Sequence, residues 1–335
     1  MFDFLIVGAG LFGSVSAHEL TKKGYKCLVI DKRSHLGGNC YTRKLEGINV
    51  HEYGPHIFNT NNEKIWKYVN QYTKFNQFTY SPVAKYKDEL YSLPFNMWTF
   101  NKIWNVQTPD EAYKKIRGTI VKIEEPKNLE EYVISNLGTV IYEKLIKHYT
   151  KKQWMRDPSE LPAFIIKRLP YRLTYDNNYF NTSYCGIPKN GYTEIFENML
   201  QNIEVRLEVD YFKNRDKLNS MARNIIYTGK IDEFFEYKFG QLDYRTLKFR
   251  HEIKDCENFQ GVPVINHTCD TFDYTRTIEH KHFEKKIKSK KTILTYETPV
   301  QWKKDLTPYY PINDKLNTAI YRQYNENAEK LSNVI

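Results

Sequence analysis

Long apolar runs are missing from this sequence, which has 335 residues and a formal net charge of +10. No stretch approaches the roughly 18 consecutive apolar residues that a membrane-spanning helix needs, so no membrane span is predicted. The first predicted strand begins almost at Met1, which leaves no room for a charged and then apolar leader. We therefore expect a soluble, cytoplasmic protein.

Cysteine is also scarce, and its spacing is uninformative. The five cysteines are scattered and contain no C-x-x-C pair, which favours free thiols over a disulfide framework or a zinc site. Paired acids, a Ser-His-Asp set and metal-ligand spacing are absent as well. The sequence therefore predicts no metal, and the chain offers no obvious nucleophile or acid–base dyad.

Basic residues are interleaved with acidic ones along most of the chain. The one dense basic run, residues 285–291, is interpreted as a solvated turn between strands. Nucleic acid is therefore not an expected partner, although a positive potential would attract a small polyanionic substrate.

The clearest positive signal is an apolar run over residues 4–7 that ends in three closely spaced glycines. This pattern predicts a buried parallel strand that turns into a helix, the first half of a dinucleotide-binding unit. The middle glycine lets the backbone approach a pyrophosphate, which then faces the positive end of the helix. The predicted cofactor residues of this turn are Gly8, Gly10, Leu11, Phe12 and Gly13.

A second predicted strand, residues 25–30, ends on Asp31, about 20 residues after the glycines, where an acid hydrogen-bonds a ribose hydroxyl. Lys32 and a second glycine pair that ends at Gly38, followed by Asn39, complete the set. This second pair resembles flavoproteins of the glutathione-reductase and amine-oxidase kind and implies FAD. A glycine turn without a ligand is the alternative.

The remaining pattern predicts an α/β fold, in which an FAD-binding Rossmann-like domain carries an inserted helical domain and an antiparallel β-sheet domain. We place the first part of the FAD-binding domain at 1–75 and its second part at 186–240. A mostly helical insertion with a mobile substrate loop is expected at 76–185, starting with a hairpin over 79–92. The antiparallel-sheet substrate domain is expected at 241–335.

Arginines and tyrosines in turn-rich contexts form a second candidate site. The guanidinium fork matches phosphate oxygens, and tyrosine hydroxyls donate to the same oxygens while their rings stack on a base. The set suits a nucleoside diphosphate, although for any one member a surface ion pair or a core-edge tyrosine explains it as well. Its members are Arg172, Arg245, Arg276, Tyr149, Tyr184, Tyr309 and Tyr310.

Eight segments, in the same order as in the family and spread over essentially the whole chain, resemble those of bacterial UDP-galactopyranose mutases. They are residues 54–58, 149–154, 159–163, 167–172, 176–180, 244–247, 274–281 and 308–311. The resemblance implies an isomerase that interconverts UDP-galactopyranose and UDP-galactofuranose through a covalent adduct of the sugar with N5 of reduced FAD. Such an enzyme supplies galactofuranose for cell-surface polysaccharide, such as lipopolysaccharide or capsule.

The resemblance also implies roles for individual residues. Arg172 and Arg276 would bind the substrate diphosphate and, with His56 beside the flavin and its neighbour Ile57, form the catalytic and flavin-contacting set. The other implied substrate residues are Tyr149 and Trp154 at the uridine, Tyr184 and Tyr310 near the phosphates, and Arg245 in the cleft. The implied partners are a UDP-sugar and a reductant such as NAD(P)H, and a homodimer is left open.

Two departures from the family pattern bear on function. Asn59 stands where the family has a second histidine, which leaves UDP-N-acetylgalactopyranose open as the substrate. The family's last strand and helix, which close over the flavin, would follow residue 335, so weak FAD retention is expected. A flavin amine oxidase-like oxidoreductase and an inactive binding protein are the alternatives.

Overall fold

The strands and helices below come from a computed structural model, which describes residues 1–166, 171–284 and 287–335. The predicted loop motif over 167–172 and the basic run over 285–291 therefore lie partly outside the described residues. The strands are β1 Phe2–Val7, β2 Cys27–Ile30, β3 Thr42–Leu45, β4 Ile48–His51, β5 Phe58–Thr60, β6 Val83–Tyr86, β7 Glu89–Ser92, β8 Tyr184–Gly186, β9 Glu204–Arg206, β10 Ala222–Tyr227, β11 Tyr244–Lys254, β12 Val264–His267, β13 Arg276–Glu279, β14 Thr292–Gln301 and β15 Tyr310–Pro311.

The helices are α1 Leu11–Lys22, α2 Glu63–Val69, α3 Met97–Trp104, α4 Pro109–Thr119, α5 Leu129–Asn136, α6 Thr139–Ile141, α7 Lys147–Trp154, α8 Thr193–Leu200, α9 Arg215–Asn219, α10 Ile231–Phe234 and α11 Lys315–Ala328. A π-helical turn over Tyr142–Ile146 separates α6 from α7. Within the described ranges, no helix combines the length and the apolar character needed to cross a membrane.

A four-stranded parallel sheet carries the glycine turn. Its order is β10-β1-β2-β9, so strands from residues 2–30 pair with strands from residues 204–227. All four residues of β2 are buried, as expected for a parallel strand covered on both faces. The chain thus leaves this sheet and returns to it, and the predicted α/β class with a Rossmann-like domain is confirmed.

A seven-stranded sheet in the order β15-β11-β14-β13-β12-β6-β7 forms the second layer. Its pairs are antiparallel, as predicted, except that β12 and β6 run parallel. The predicted hairpin forms, but it joins the edge of this sheet instead of opening the helical insertion at residue 76. The reason is nonlocal: β6 pairs its edge N–H and C=O groups with β12, where Val83 lies opposite Ile265. Period-two spacing does not identify a partner so far away in the sequence.

Helices α3 to α7 pack around their own core, which includes Phe100, Leu129, Ile141 and Leu145. Side-chain caps define where two of them begin. Asn96 and Thr108 each accept N–H groups of the first turn of α3 and α4, and a threonine or glutamate three residues on bonds back. This local chemistry explains why the helices of this region are readable from sequence.

Other elements differ from expectation. Apolar residues at helical spacing over 62–75 indicate one longer helix, but only α2 forms there, and the similar pattern over 140–150 is interrupted by the π-helical turn. Helix α11 has no counterpart among the predicted elements, and it buries Tyr324, whose hydroxyl donates to the Gly240 carbonyl at 2.6 Å. Residues 333–335 then pair with β10, since the Ile225 N–H donates to the Asn333 carbonyl at 2.9 Å.

Strands β5 and β8 form a two-stranded neck between the layers. They pair antiparallel, with Thr60 opposite Tyr184, so residues 61–183 leave and return at one place. The Tyr184 ring stacks on Trp66, with centroids 5.5 Å apart, and this contact stiffens the neck. The candidate site lies where this neck, the glycine turn and the seven-stranded sheet meet.

Candidate active site

The glycine turn packs too tightly for side chains. A Cβ on Gly13 would lie 1.9 Å from the Gly8 carbonyl oxygen, and one on Gly38 would lie 3.0 Å from the Gly10 Cα. Gly10 begins α1 without a side-chain cap, so the first amides of α1 have no side-chain partner there. The turn therefore combines close backbone approach with the positive end of a helix, which is the chemistry of a pyrophosphate site.

Asp31 holds this turn together. Its Oδ2 accepts the Ala9 N–H at 2.8 Å, and its Oδ1 accepts the Arg33 N–H at 2.9 Å. Arg33 in turn donates to the Asn39 side-chain oxygen at 2.8 Å. Each carboxylate oxygen keeps a second acceptor position, so the contact that the sequence predicts with a ribose hydroxyl is compatible with this structural role.

Two cavities flank the N-terminus of α1. The larger, of about 690 Å³, is called the cofactor cavity here, and the smaller, of about 440 Å³, the central cavity. Predicted cofactor residues line the first at Gly8, Gly10, Asp31, Lys32, Gly38 and Asn39, and the second at Leu11, His56 and Ile57. Phe12 is exposed and Gly13 packs on the turn, and neither lines a cavity.

These residues fit a flavin dinucleotide. The cofactor cavity offers the glycine turn and an acid for the adenosine and pyrophosphate, and the central cavity continues past Leu11 with apolar and aromatic walls such as Phe58 and Phe196. An extended ligand with a charged middle and a planar, largely apolar end suits this pair of spaces. The glycine turn and the two cavities therefore suit a nucleotide of the flavin type.

Arg276 dominates the electrostatics of the central cavity. Its Nε lies 3.2 Å from Oε1 of Glu297, which is 1% exposed, and the guanidinium donates a hydrogen bond to no described residue. Burial acts to lower the pKa of Arg276, but the Glu297 carboxylate and nearby Tyr149 raise it, so the group stays charged. Burial raises the pKa of Glu297, and Arg276 opposes that rise.

Tyrosines surround this cation. Burial raises the pKa of Tyr149 to about 12, with Arg276 acting in the opposite direction, and burial also raises the pKa of Tyr80 and Tyr179. All three line the central cavity as neutral phenols. A neutral phenol both donates and accepts hydrogen bonds, so these rings can complement phosphate or sugar oxygens.

His56 is fixed in one tautomer. Its Nε2 lies 2.7 Å from the Asn39 carbonyl, which only accepts, so the proton is on Nε2 and Nδ1 is the acceptor. Burial lowers the pKa of His56, and Arg276 adds to this effect. A neutral imidazole thus lies beside the predicted position of the flavin.

The other predicted substrate residues do not line the central cavity. Arg172 is occupied in its own segment, where Nη1 donates to Asp176 at 2.7 Å and to the Asn178 carbonyl at 2.6 Å. Asn59 donates to the Ile57 carbonyl at 3.2 Å, on the strand opposite Cys185. The remaining ones are Trp154 at the end of α7, Tyr184 on the neck, Arg245 buried in β11, and Tyr310 on β15 opposite Arg245.

Sequence reasoning missed four cavity-side residues. Tyr80, Tyr179 and Asn266 line the central cavity, and Glu297 lies behind Arg276. Strand pairing brings two of them to the arginine, since Asn266 and Glu297 are its register partners on β12 and β14. Of these four residues, only Tyr179 could have been found from the sequence, because it lies within the segment 176–180 that resembles the family. Asn266 and Glu297 depend on the register between strands, which is not encoded locally.

Comparisons with known proteins agree with this geometry. Residues 144–335 match the family model for UDP-galactopyranose mutase, and residues 6–72 match that for an NAD(P)-binding Rossmann-like domain. The chain is 37% identical over its full length to a dTDP-fucopyranose mutase of Escherichia coli, covering 91% of it. It is also 38% identical to a probable UDP-galactopyranose mutase of Klebsiella pneumoniae, over 99% of this chain and 87% of the relative.

The fold agrees as well. A crystal structure of reduced UDP-galactopyranose mutase superposes with a TM-score of 0.69 at 14% identity, over 99% of this chain and 79% of the other. The full-length matches and the family model covering more than half of the chain lead to one assignment. The chain belongs to the UDP-galactopyranose mutase family of isomerases.

Proposed function

We propose that this protein interconverts UDP-galactopyranose and UDP-galactofuranose. The observation that carries the proposal is Arg276, a largely buried cation whose guanidinium faces a cavity without donating to any described residue. Apart from Nε, which faces Glu297, the guanidinium has no acceptor among the described residues, and a sugar nucleotide supplies a second anionic partner in its diphosphate.

The side chains around Arg276 orient its guanidinium and strengthen its interaction with a phosphate. Glu297 holds the guanidinium through Nε, which leaves the two terminal nitrogens to face a phosphate in the paired geometry that a fork prefers. Aromatic walls keep the effective dielectric low, so the contact with a leaving diphosphate is stronger than it is in water. We assign to Arg276 the stabilisation of charge on departing UDP, and to Tyr149 and Tyr179 hydrogen bonds to the same oxygens.

Cys40 lines the central cavity, but burial raises the pKa of its thiol to about 11, so it stays protonated and is a poor nucleophile. A reduced flavin, when bound, would supply the electron pair for substitution at the anomeric carbon. His56 contributes a neutral ring with Nδ1 as acceptor, held by its bond to Asn39. Ile57, Phe58 and Phe196 exclude water from the place where the sugar rests between departure and return of UDP.

Arg172 is proposed as the second diphosphate-binding arginine. To reach the substrate it must exchange its bonds to the Asp176 and Asn181 side chains and to the Asn178 and Tyr179 carbonyls, all on its own segment. The pair with Asp176 alone is weak, because Asp176 is 55% exposed and an exposed ion pair contributes about 0.2–1 kcal/mol. The Arg172 side chain is 12% exposed, so the substrate diphosphate has to replace its other three bonds. Trp154, Tyr184, Arg245, Tyr310 and Asn59 are retained as proposed substrate-side residues that act once this segment has moved.

The test is turnover of UDP-galactopyranose by dithionite-reduced protein, with products separated by chromatography. We expect UDP-galactofuranose to form without net consumption of the reductant. Stoichiometric oxidation of the sugar would instead support a flavin amine oxidase-like oxidoreductase, and absence of any product from flavin-loaded, reduced protein would overturn the proposal.

A second candidate substrate is favoured by the full-length match to the E. coli protein named dTDP-fucopyranose mutase. That substrate, dTDP-fucopyranose, differs from UDP-galactopyranose in the base, the ribose and the sugar C6, but it presents the same diphosphate to Arg276. Asn59 keeps UDP-N-acetylgalactopyranose as a third candidate. Comparing kcat/KM for the three substrates assigns the specificity.

We also propose a physiological reductant such as NAD(P)H, a cytoplasmic location, and supply of the furanose sugar to a cell-surface polysaccharide. These follow from the assigned activity, because a reduced cofactor and a nucleotide sugar are both available in the cytoplasm. A titration of NADH and NADPH against flavin absorbance under anaerobic conditions tests the reductant.

A further inference from the structure

A chain of buried hydrogen bonds runs away from His56 through two further histidines. The backbone N–H of His56 donates to the ring Nδ1 of His51 at 3.1 Å, and the backbone N–H of His51 donates to the ring Nδ1 of His280 at 3.2 Å. Nε2 of His280 lies 2.6 Å from Thr295 Oγ1, which lies 2.7 Å from Nδ1 of His251. We call this set the histidine chain.

The histidine chain ends at a partly exposed ion pair. Nε2 of His251 lies 3.2 Å from Oε1 of Glu52, and Oε2 of Glu52 accepts from Arg43 at 2.5 Å. The His251 contact lowers the pKa of Glu52 to about 2, and Arg43 adds to this effect while burial opposes it. The far end of the chain is therefore an ionised carboxylate at neutral pH.

The backbone fixes the tautomers of the two inner rings. An amide N–H only donates, so Nδ1 of both His51 and His280 must be bare, and each neutral ring carries its proton on Nε2. His280 then donates to Thr295, the Thr295 hydroxyl donates to His251, and His251 donates to the Glu52 carboxylate. In each of these hydrogen bonds the donor is thus on the His56 side and the acceptor on the Glu52 side.

Burial keeps the two inner rings neutral. It lowers the pKa of His51 to about 3, with His56 adding to the effect, and it lowers the pKa of His280 well below its usual range, with His51 and His251 contributing. Other ionisable groups facing these rings are Arg43, near His280, and Tyr192, whose ring packs edge-on against His51. Two of the links are amides, which do not relay protons, so the chain holds geometry and does not conduct.

We propose that His51, His280 and Thr295 are positioning residues, which fix the loop bearing His56 so that its imidazole meets the flavin in one orientation. The inference rests on the proposed mutase function. It follows from what the histidine chain joins: its hydrogen bonds connect β11, β14, the turn after β13 and β4 in series, and His51 on β4 accepts the backbone N–H of His56. Nothing in the histidine chain lines the central cavity apart from His56 itself.

The matched pair Thr295→Val and Thr295→Ser tests this. Valine keeps the shape but removes the hydroxyl, which leaves the His280 Nε2–H without an acceptor and His251 Nδ1 without a donor, whereas serine keeps both bonds. Thr298→Val, on the opposite face of the same strand, is the control because no hydrogen bond of its side chain is observed. We expect kcat of Thr295→Val to fall about tenfold with KM for UDP-galactopyranose within twofold, and Thr295→Ser and Thr298→Val to stay near wild type.

A second readout does not depend on turnover. In protein labelled with ¹⁵N-histidine, His51 and His280 should appear as neutral Nε2–H tautomers from pH 5.5 to 8, and the His56 resonances should shift in Thr295→Val but not in Thr298→Val. An Nδ1–H tautomer at either ring, unmoved His56 resonances, or full turnover by Thr295→Val would overturn the proposal. Wild-type protein with the expected tautomers but no mutase product would count against the proposed function alone.

Discussion

Arg276 allows the contributions of one residue to stability and to catalysis to be separated. Arg276→Ala removes the only cation within ion-pair distance of Glu297 among the described residues, and it leaves that carboxylate buried and uncompensated. Breaking a buried pair in this way costs about 3–5 kcal/mol of the free energy of unfolding. The same change removes a fixed donor from the leaving diphosphate, which is expected to lower kcat by about 100- to 1000-fold.

The double variant Arg276→Ala/Glu297→Gln distinguishes the two effects. Glutamine has the shape of Glu297 without its charge, so most of the lost stability should return, while kcat should stay at the level of the single variant. Arg276→Lys provides the converse control, since it keeps the charge opposite Glu297 but loses the planar fork. It should be nearly as stable as wild type and still be impaired in turnover.

Urea unfolding gives the stabilities, and chromatography of UDP-galactofuranose formed by dithionite-reduced protein gives kcat. The flavin content of each variant is measured first, so that loss of cofactor is not read as loss of catalysis. Recovery of turnover in the double variant would refute the reasoning, because it would show that Arg276 acts only by neutralising Glu297.

Further predictions concern the turn, the buried histidines and the Arg172 segment. Gly13→Ala should abolish flavin retention after gel filtration, because its Cβ would lie 1.9 Å from the Gly8 carbonyl oxygen, whereas Gly118→Ala, which meets nothing within 4 Å, should retain it. In the folded protein His51 has a pKa of about 3, so only the unfolded chain takes up a proton at this residue as the pH falls below 6.5. At pH 5 this residue alone should lower the free energy of unfolding by about 2 kcal/mol. Equal stabilities in urea titrations at pH 7 and pH 5 would contradict this. Asp176→Asn should lower KM for UDP-galactopyranose by up to about fivefold, because it weakens the ion pair among the four contacts that occupy Arg172. A raised KM would argue against release of that arginine.

Much of the fold is readable from local sequence. The glycine turn, β2 ending just before Asp31 and the capped helices α3 and α4 are specified by residues close together in the chain, where backbone conformation, capping and apolar spacing act. The family assignment rested on several short segments in order and is confirmed. The division at residues 75, 185 and 240 stays a prediction, apart from the hairpin that joins the large sheet.

What the sequence did not reveal depends on long-range pairing. The position of Glu297 behind Arg276 requires the β13–β14 register, and that of Asn266 requires β12–β13. The histidine chain joins residues 51, 56, 251, 280 and 295, which no local pattern relates. Asp31 shows a different limit of sequence-based prediction. Its residue type and spacing predict a ligand contact, but they do not predict the hydrogen bonds that its carboxylate also accepts from two backbone N–H groups.

The neck formed by β5 and β8 is one of several anchors of the excursion over residues 61–183. The hydroxyls of Tyr68 and Tyr72 lie 2.8 Å from Glu19 and His18 of α1, and β6 pairs with β12 of the large sheet. The base of the excursion is thus tied to both layers. We therefore expect a displacement of the Arg172 segment to leave the loop bearing His56, two residues before β5, in place.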